Sequence, residues 1–201
     1  MLTFDRKQLT DHLEPLPKRL RVAFAAACAQ RQLPNYVSAS AANPRTDADA
    51  ATRMLHGLWD AIARNAFDSK RIQRDLSVCR ALLPDYDNGY FEGIEFADDA
   101  IVSIGLALDT ALKGASHDAA GSAERAFSAL DEYIIRRFHI DDSAPGAESL
   151  IDSFPIMQAE LSRQQADLAD LHAAAKNPGS EAAIIVRIKR RAESDATSFF
   201  G

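Results

Sequence analysis

Cysteine is scarce in this sequence: Cys28 and Cys79 are the only two in 201 residues. Each falls inside an apolar helical pattern, which reads as two buried free thiols in a reducing compartment rather than as a disulfide. Long hydrophobic runs are missing as well. No stretch approaches the ~18 consecutive apolar residues of a membrane-spanning helix, and Asp5, Arg6 and Lys7 precede any apolar run, so no secretory signal is expected. Positive charge is in deficit, with 23 Lys and Arg against 29 Asp and Glu and a formal net charge of -6. A chain of that sign is not drawn to phosphate backbones or anionic lipid, so neither nucleic acid nor a membrane is an expected partner. No segment alternates apolar and polar residues as a half-buried strand does, and there is neither an internal repeat nor a Gly-rich phosphate loop. What remains is a cytoplasmic, all-helical protein.

Apolar residues at helical spacing are what the sequence does contain. Hydrophobic residues make up 47% and charged residues 26%, the proportions of an ordered globular chain. A chain of this length buries roughly 70% of its unfolded surface and folds without a metal or disulfide staple. The most informative stretch is Phe91 to Leu112. From Ala100 to Leu108 it carries no charge, whereas a surface helix shows a polar face every turn. The pattern therefore predicts a buried central helix over about residues 91–113, with Ile94, Ala97, Ile101, Ile104 and Leu108 as its main apolar stripe.

The other elements are arranged around it. Phe4, Leu9 and Leu13 outline a first short helix, which Pro15 and Pro17 close. A second runs from Pro17 to about Gln32, where alanines admit a close neighbour, and Pro34 opens a short separate piece through about Ser40. Thr46 or Asp47 caps a third, with Ala51, Met54, Leu55, Leu58 and Ile62 inward and Trp59 beside them. Asp68 or Ser69 caps a fourth, with Ile72, Leu76, Cys79 and Leu83 inward. Beyond Gly114 a further helix turns Ala123, Ala126, Phe127, Leu130, Ile134 and Phe138 to the core. A short turn at 148–153, a long helix over about 154–175 with the seam Met157, Leu161, Leu168 and Leu171, and a last helix from Glu181 to Arg191 complete the chain. Its linkers are short, so a single all-α domain is expected over residues 1–201, a multi-helix bundle around the central helix.

The one feature that hints at chemistry is the acidic start of the central helix. At about 100° per residue, Glu92, Glu95 and Asp99 fall within about 60° of one another. Such a ridge resembles half of a site for a hard divalent cation, which draws oxygen ligands from two elements. A metal-dependent hydrolase of the all-helical nucleotide pyrophosphatase type needs a second acidic pair opposite. Asp131 with Glu132, or Asp167 with Asp170, are the candidates, and neither has the matching Glu-x-x-Asp spacing. The alternative is that these carboxylates oppose the helix dipole and meet water or arginine. No Glu-x-x-His pair exists for a di-iron site, and His56 with Asp60 lacks a nucleophile. Neither cysteine has a cationic setting that would activate it. The block Arg187, Lys189, Arg190 and Arg191 reads as a helix end or as a partner for the chain's own carboxylates. Phe199 and Phe200 in an otherwise polar C-terminal stretch call for burial against the body or against a second copy in a homodimer.

Several patches resemble an uncharacterised bacterial family, domain-of-unknown-function family 416: Arg21-Val22-Ala23-Phe24, Cys28-Ala29-Gln30-Arg31, Leu33-Pro34-Asn35-Tyr36, Leu58-Trp59 and Ala97-x-Asp99-Ala100. Their order and spacing carry the resemblance, from the first helix to about Ile188. It implies an all-helical cytoplasmic protein without an established activity, cofactor or catalytic residue, and an association with histidine-kinase signalling or toxin-immunity loci. With no complete catalytic set, no cofactor and a negative charge, the expected function is non-enzymatic: an interaction module that binds a protein partner.

Overall fold

The computed structural model describes residues 1–41, 46–83 and 93–197. Nine α-helices are present among them: α1 (Arg6–Leu13), α2 (Lys18–Ser40), α3 (Ala48–Arg64), α4 (Ser69–Ala81), α5 (Ile94–Lys113), α6 (Ser116–Phe138), α7 (Ala147–Asp152), α8 (Pro155–Lys176) and α9 (Glu181–Asp195). No strand occurs in the described residues. The caps are those the side-chain chemistry favours. The carboxylates of Asp5, Asp47 and Asp68 accept bonds from the otherwise unpaired first-turn amides of α1, α3 and α4. At the other end of α5, Gly114 takes the left-handed conformation, φ 77°, that terminates a helix without a Cβ clash.

The expected central helix is α5, and its whole predicted stripe is buried. It shares the centre with α2, against which it packs most extensively. Every residue of α2 from Val22 to Leu33 is buried, because α3, α5, α6, α8 and α9 all pack around it. The alanine run Ala25–Ala26–Ala27 brings neighbouring backbones close. Where α2, α5 and α6 meet, Ser122 Oγ donates to Ala25 O at 3.0 Å and lies 2.6 Å from Ser103 Oγ. Hydroxyls in this dry seam satisfy each other and the backbone, so small polar residues tie three helices together. A second apolar cluster of Leu130, Ile134, Ile151, Met157 and Leu161 joins the end of α6 to α7 and α8.

Four expectations require correction. Pro34 does not open a new helix; α2 continues through it to Ser40. The missing amide costs the ladder one bond, about 3 kcal/mol in an exposed helix. Continuation buries Tyr36 completely and gives its hydroxyl the Leu82 carbonyl at 3.2 Å, and the surrounding helices hold the segment in line. Leu83 is 41% exposed because Leu82, the C-cap of α4, takes the buried position. Phe138, in the last turn of α6, is 53% exposed and leans on Phe154 with ring centroids 4.6 Å apart. The last helix runs past Arg191 to Asp195, with Ala192 buried and Arg163 paired to Asp195 at 3.3 Å.

Candidate functional site

Of the acidic ridge, Glu92 and the loop before it lie outside the described residues, as do Phe199 and Phe200. Glu95 and Asp99 sit one turn apart at the start of α5. The sequence candidate Glu132 does approach them from α6, but an arginine stands in the gap. Arg136 Nη2 donates to Glu95 Oε1 at 2.7 Å, while its Nε donates to Glu132 Oε1. Glu95 Oε2 is sealed from solvent without a partner. One helical turn further on, Arg125 Nη1 donates to Asp99 Oδ1 at 3.2 Å.

Asp99 is the most perturbed of these acids. Burial pushes its carboxyl up to about 6; Arg125 opposes the rise, and Asp98 and Glu132 add to it. A cation would therefore have to displace two guanidinium groups from this end of α5. Among the described residues no group of three or more His, Cys, Asp or Glu side chains is disposed to hold a metal ion.

A larger charged assembly sits deep in the molecule, around Arg31, Glu160 and Asp167. Arg31, on the enclosed part of α2, reaches α8: its Nε and Nη2 each lie 2.9 Å from a Glu160 oxygen, and its Nη1 lies 2.9 Å from Asp167 Oδ2. Asp167 is wholly buried, and its other oxygen is bonded by Arg191 from α9. Arg191 continues to Asp170 at 3.0 Å, and Arg187 reaches the same residue at 2.6 Å. Burial works to lower the Arg31 pKa, but Glu160 and Asp167 more than offset it and keep the guanidinium charged. The basic block on α9 is thus largely occupied by the chain's own carboxylates, and Asp167 with Asp170 belongs to this network rather than to a metal half-site. One signal was available in the sequence. Glu160, Gln164 and Asp167 recur at helical spacing beside the apolar seam of α8, so acids on an inward face required a buried cation.

The remaining reactive types are quiet. Both thiols are buried, and burial pushes the Cys28 thiol strongly up and that of Cys79 to about 12. Asp60 is bonded by Arg64 at 3.4 Å rather than by His56.

Beside Glu132, in the same C-terminal half of α6, the charge balance differs. Asp131, Asp142, Glu148 and Asp152 gather at the corner of α6 and α7 and make no ion pair among the described residues. Burial raises the Asp131 carboxyl, and Glu132, Asp152, Asp142 and Glu148 each push it further in the same direction. Asp152 is only 7% exposed, and its carboxyl is raised by burial and then by Glu148. Leu150, on the same short helix, is 51% exposed. A cavity of about 340 Å³ lies elsewhere, between the N-terminal segment with α1 and the outer face of α8.

In comparisons with known proteins, no curated protein matches the chain. A crystal structure of a DUF416 family protein from Shewanella baltica OS155 superposes with a TM-score of 0.79 over 96% of each chain at 22% sequence identity, a likeness of fold. The family model described as "Protein of unknown function (DUF416)" matches residues 8–201. That match takes in all nine helices, apart from the first two residues of α1, together with the ridge, the buried ionic network and the acidic corner. The chain belongs to the DUF416 family of proteins of unknown function.

Proposed function

We propose that this chain is a non-enzymatic interaction module that receives a basic segment of a protein partner on the acidic corner of α6 and α7. One observation carries the reading: four carboxylates, Asp131, Asp142, Glu148 and Asp152, gather with no ion-pair partner among the described residues, whereas Glu95, Asp99, Glu160 and Asp167 are each paired with an arginine. The carboxyls of Asp131 and Asp152, raised by burial and by the neighbouring negative charges, would be relieved by an incoming Lys or Arg, and the exposed Leu150 supplies an apolar contact beside them. Such complementarity contributes mainly to selectivity and association rate, so binding should weaken as salt rises. The alternative, a metal-dependent hydrolase on Glu92, Glu95 and Asp99, is less well supported because Arg136 and Arg125 already occupy Glu95 and Asp99.

The test is affinity capture from the native cell with quantitative mass spectrometry, run in parallel on wild type and on D131K/E148K. A stoichiometric protein retained by wild type at low salt, released at high salt and lost with the double variant is the expected result. Equal capture by both proteins, or no partner across several growth conditions, would overturn the reading. Saturable Mn²⁺ binding that disappears in Glu95→Gln would move the function to the ridge instead.

A further inference from the structure

The groove between α1 and α8 is independent of the acidic corner and has a polar group built into its floor. α1 and α8 both pack on α6 but scarcely on each other, so a trough of about 340 Å³ runs between them. That volume is within the range of small-molecule sites, roughly 300–1,000 Å³. Phe4, Leu9, Leu161 and Leu168 give it apolar walls, and His12 and His172 stand in the same lining.

The near wall is fixed in place. Leu2 exchanges two hydrogen bonds with the Gln158 side chain, at 2.8 and 2.7 Å. Phe4 stacks on Phe127 at 5.1 Å, and Arg6 pairs with Glu124 at 2.9 Å.

Gln164 defines the chemistry. It is 95% buried, being 5% exposed, and it lines the groove. Its Nε2 donates to the Ala123 carbonyl at 3.3 Å and to Glu160 Oε1 at 3.0 Å. Both partners are acceptors only, so the amide cannot be flipped without facing oxygen to oxygen twice. The carbonyl oxygen is therefore locked as the free end. It accepts no bond from a described residue, yet it is not among the sealed polar atoms. A buried acceptor held at this orientation by a buried ion-pair network is complementary to a donor on something that enters the groove.

We infer that the α1–α8 groove binds a neutral, mainly apolar small molecule that donates an N–H or O–H hydrogen bond to Gln164 Oε1. An apolar body fills the walls, and the single donor sets its orientation. A molecule of the same shape without the donor leaves the glutamine carbonyl dry and unpaired, which disfavours it.

The test uses indole, an apolar bicycle with one N–H, against 1-methylindole, which has the same rings and no donor. Each is titrated into the full-length protein while its amide, methyl and histidine NMR signals are followed. Indole should perturb Leu161, Leu168, His172 and the Gln164 side-chain amide saturably, with a Kd on the order of 1 mM for a fragment of this size. It should bind about fivefold to tenfold more tightly than 1-methylindole, the ratio expected for one net hydrogen bond. Leu168→Trp, at a partly exposed groove position, should fill the trough and abolish the indole response while the core methyl signals of α5 stay unchanged. Gln164→Met, if its spectrum remains folded, should bind both probes equally. Equal affinity of the two probes for the wild type overturns the proposal, as does an indole response that survives Leu168→Trp. So does the absence of any saturable response up to the solubility limit of indole.

Discussion

Replacing Arg31 by methionine should be among the most damaging single changes in this protein. Methionine fills most of the volume, so the perturbation is electrostatic rather than a cavity. Arg31 supplies three bonds to Glu160, at 3.2, 2.9 and 2.9 Å, and one to Asp167 at 2.9 Å. Without it Glu160 keeps the Gln164 amide at 3.0 Å and a distant Arg163 at 3.9 Å. Asp167, which is wholly buried, keeps only Arg191 from one side. Removing one member of a buried pair costs about 3–5 kcal/mol because the remaining charge is uncompensated. In a chain of this length that lowers the melting temperature by roughly 6–20 °C at about 2–4 °C per kcal/mol.

Arg191→Met should cost much less. Arg191 is partly exposed, and Asp167 would still hold Arg31. Replacing the whole set, R31M/E160L/D167L, should bring stability back toward the wild type or above it, since no unpaired charge is left inside. Urea unfolding followed by circular dichroism measures all three. Arg31→Met within about 1 kcal/mol of wild type, a margin far below the cost of an orphaned buried charge, would refute this account of the network, as would a larger loss in Arg191→Met.

Other consequences are as direct. Burial holds the Asp99 carboxyl at about 6, above its ordinary 3.8, so the native state binds this proton more tightly than the unfolded chain and stability falls as pH rises between those values. Asp99→Asn should accordingly stabilise the protein by roughly 1–3 kcal/mol at pH 7.5 and by much less at pH 4.5; a pH-independent difference in melting temperature would contradict this. Cys28 and Cys79 should both resist a thiol reagent in the native protein and react promptly in urea, and stoichiometric labelling under native conditions at neutral pH would show that one of them is not shielded as described. Pro34→Ala restores an amide to the middle of α2 and should raise stability by about 1–2 kcal/mol after the larger chain entropy of the unfolded alanine variant is subtracted; unchanged or lower stability in urea titration would mean that α2 is shaped around the proline.

How far the sequence reveals the fold depends on the range over which each feature is encoded. Asp5, Asp47 and Asp68 act on amides two or three residues away, so helix starts could be read locally. The stripe of α5 is legible for the same reason, since its period lies within one helix. Pro34 misleads because its cost is local and visible, while the burial of Tyr36 that outweighs it depends on Leu82 in another helix. The candidate sites follow the same rule more severely. Glu92, Glu95 and Asp99 look like a half-site because carboxylates on one helix share a face by arithmetic. The arginines that meet Glu95 and Asp99 come from positions 125 and 136 on α6, which no spacing links to α5. Arg31 and Glu160 are 129 residues apart, and only the packing of α2 on α8 makes them partners. The packing of α7 on α6 gives the acidic corner its meaning, because a lone aspartate is unremarkable until its neighbours prove to be acids as well. Opposite charges at fold-dependent contacts occupy Glu95 and Asp99 of the ridge, and the like charges at α6 and α7, without an ion-pair partner among the described residues, are what the proposed partner would relieve.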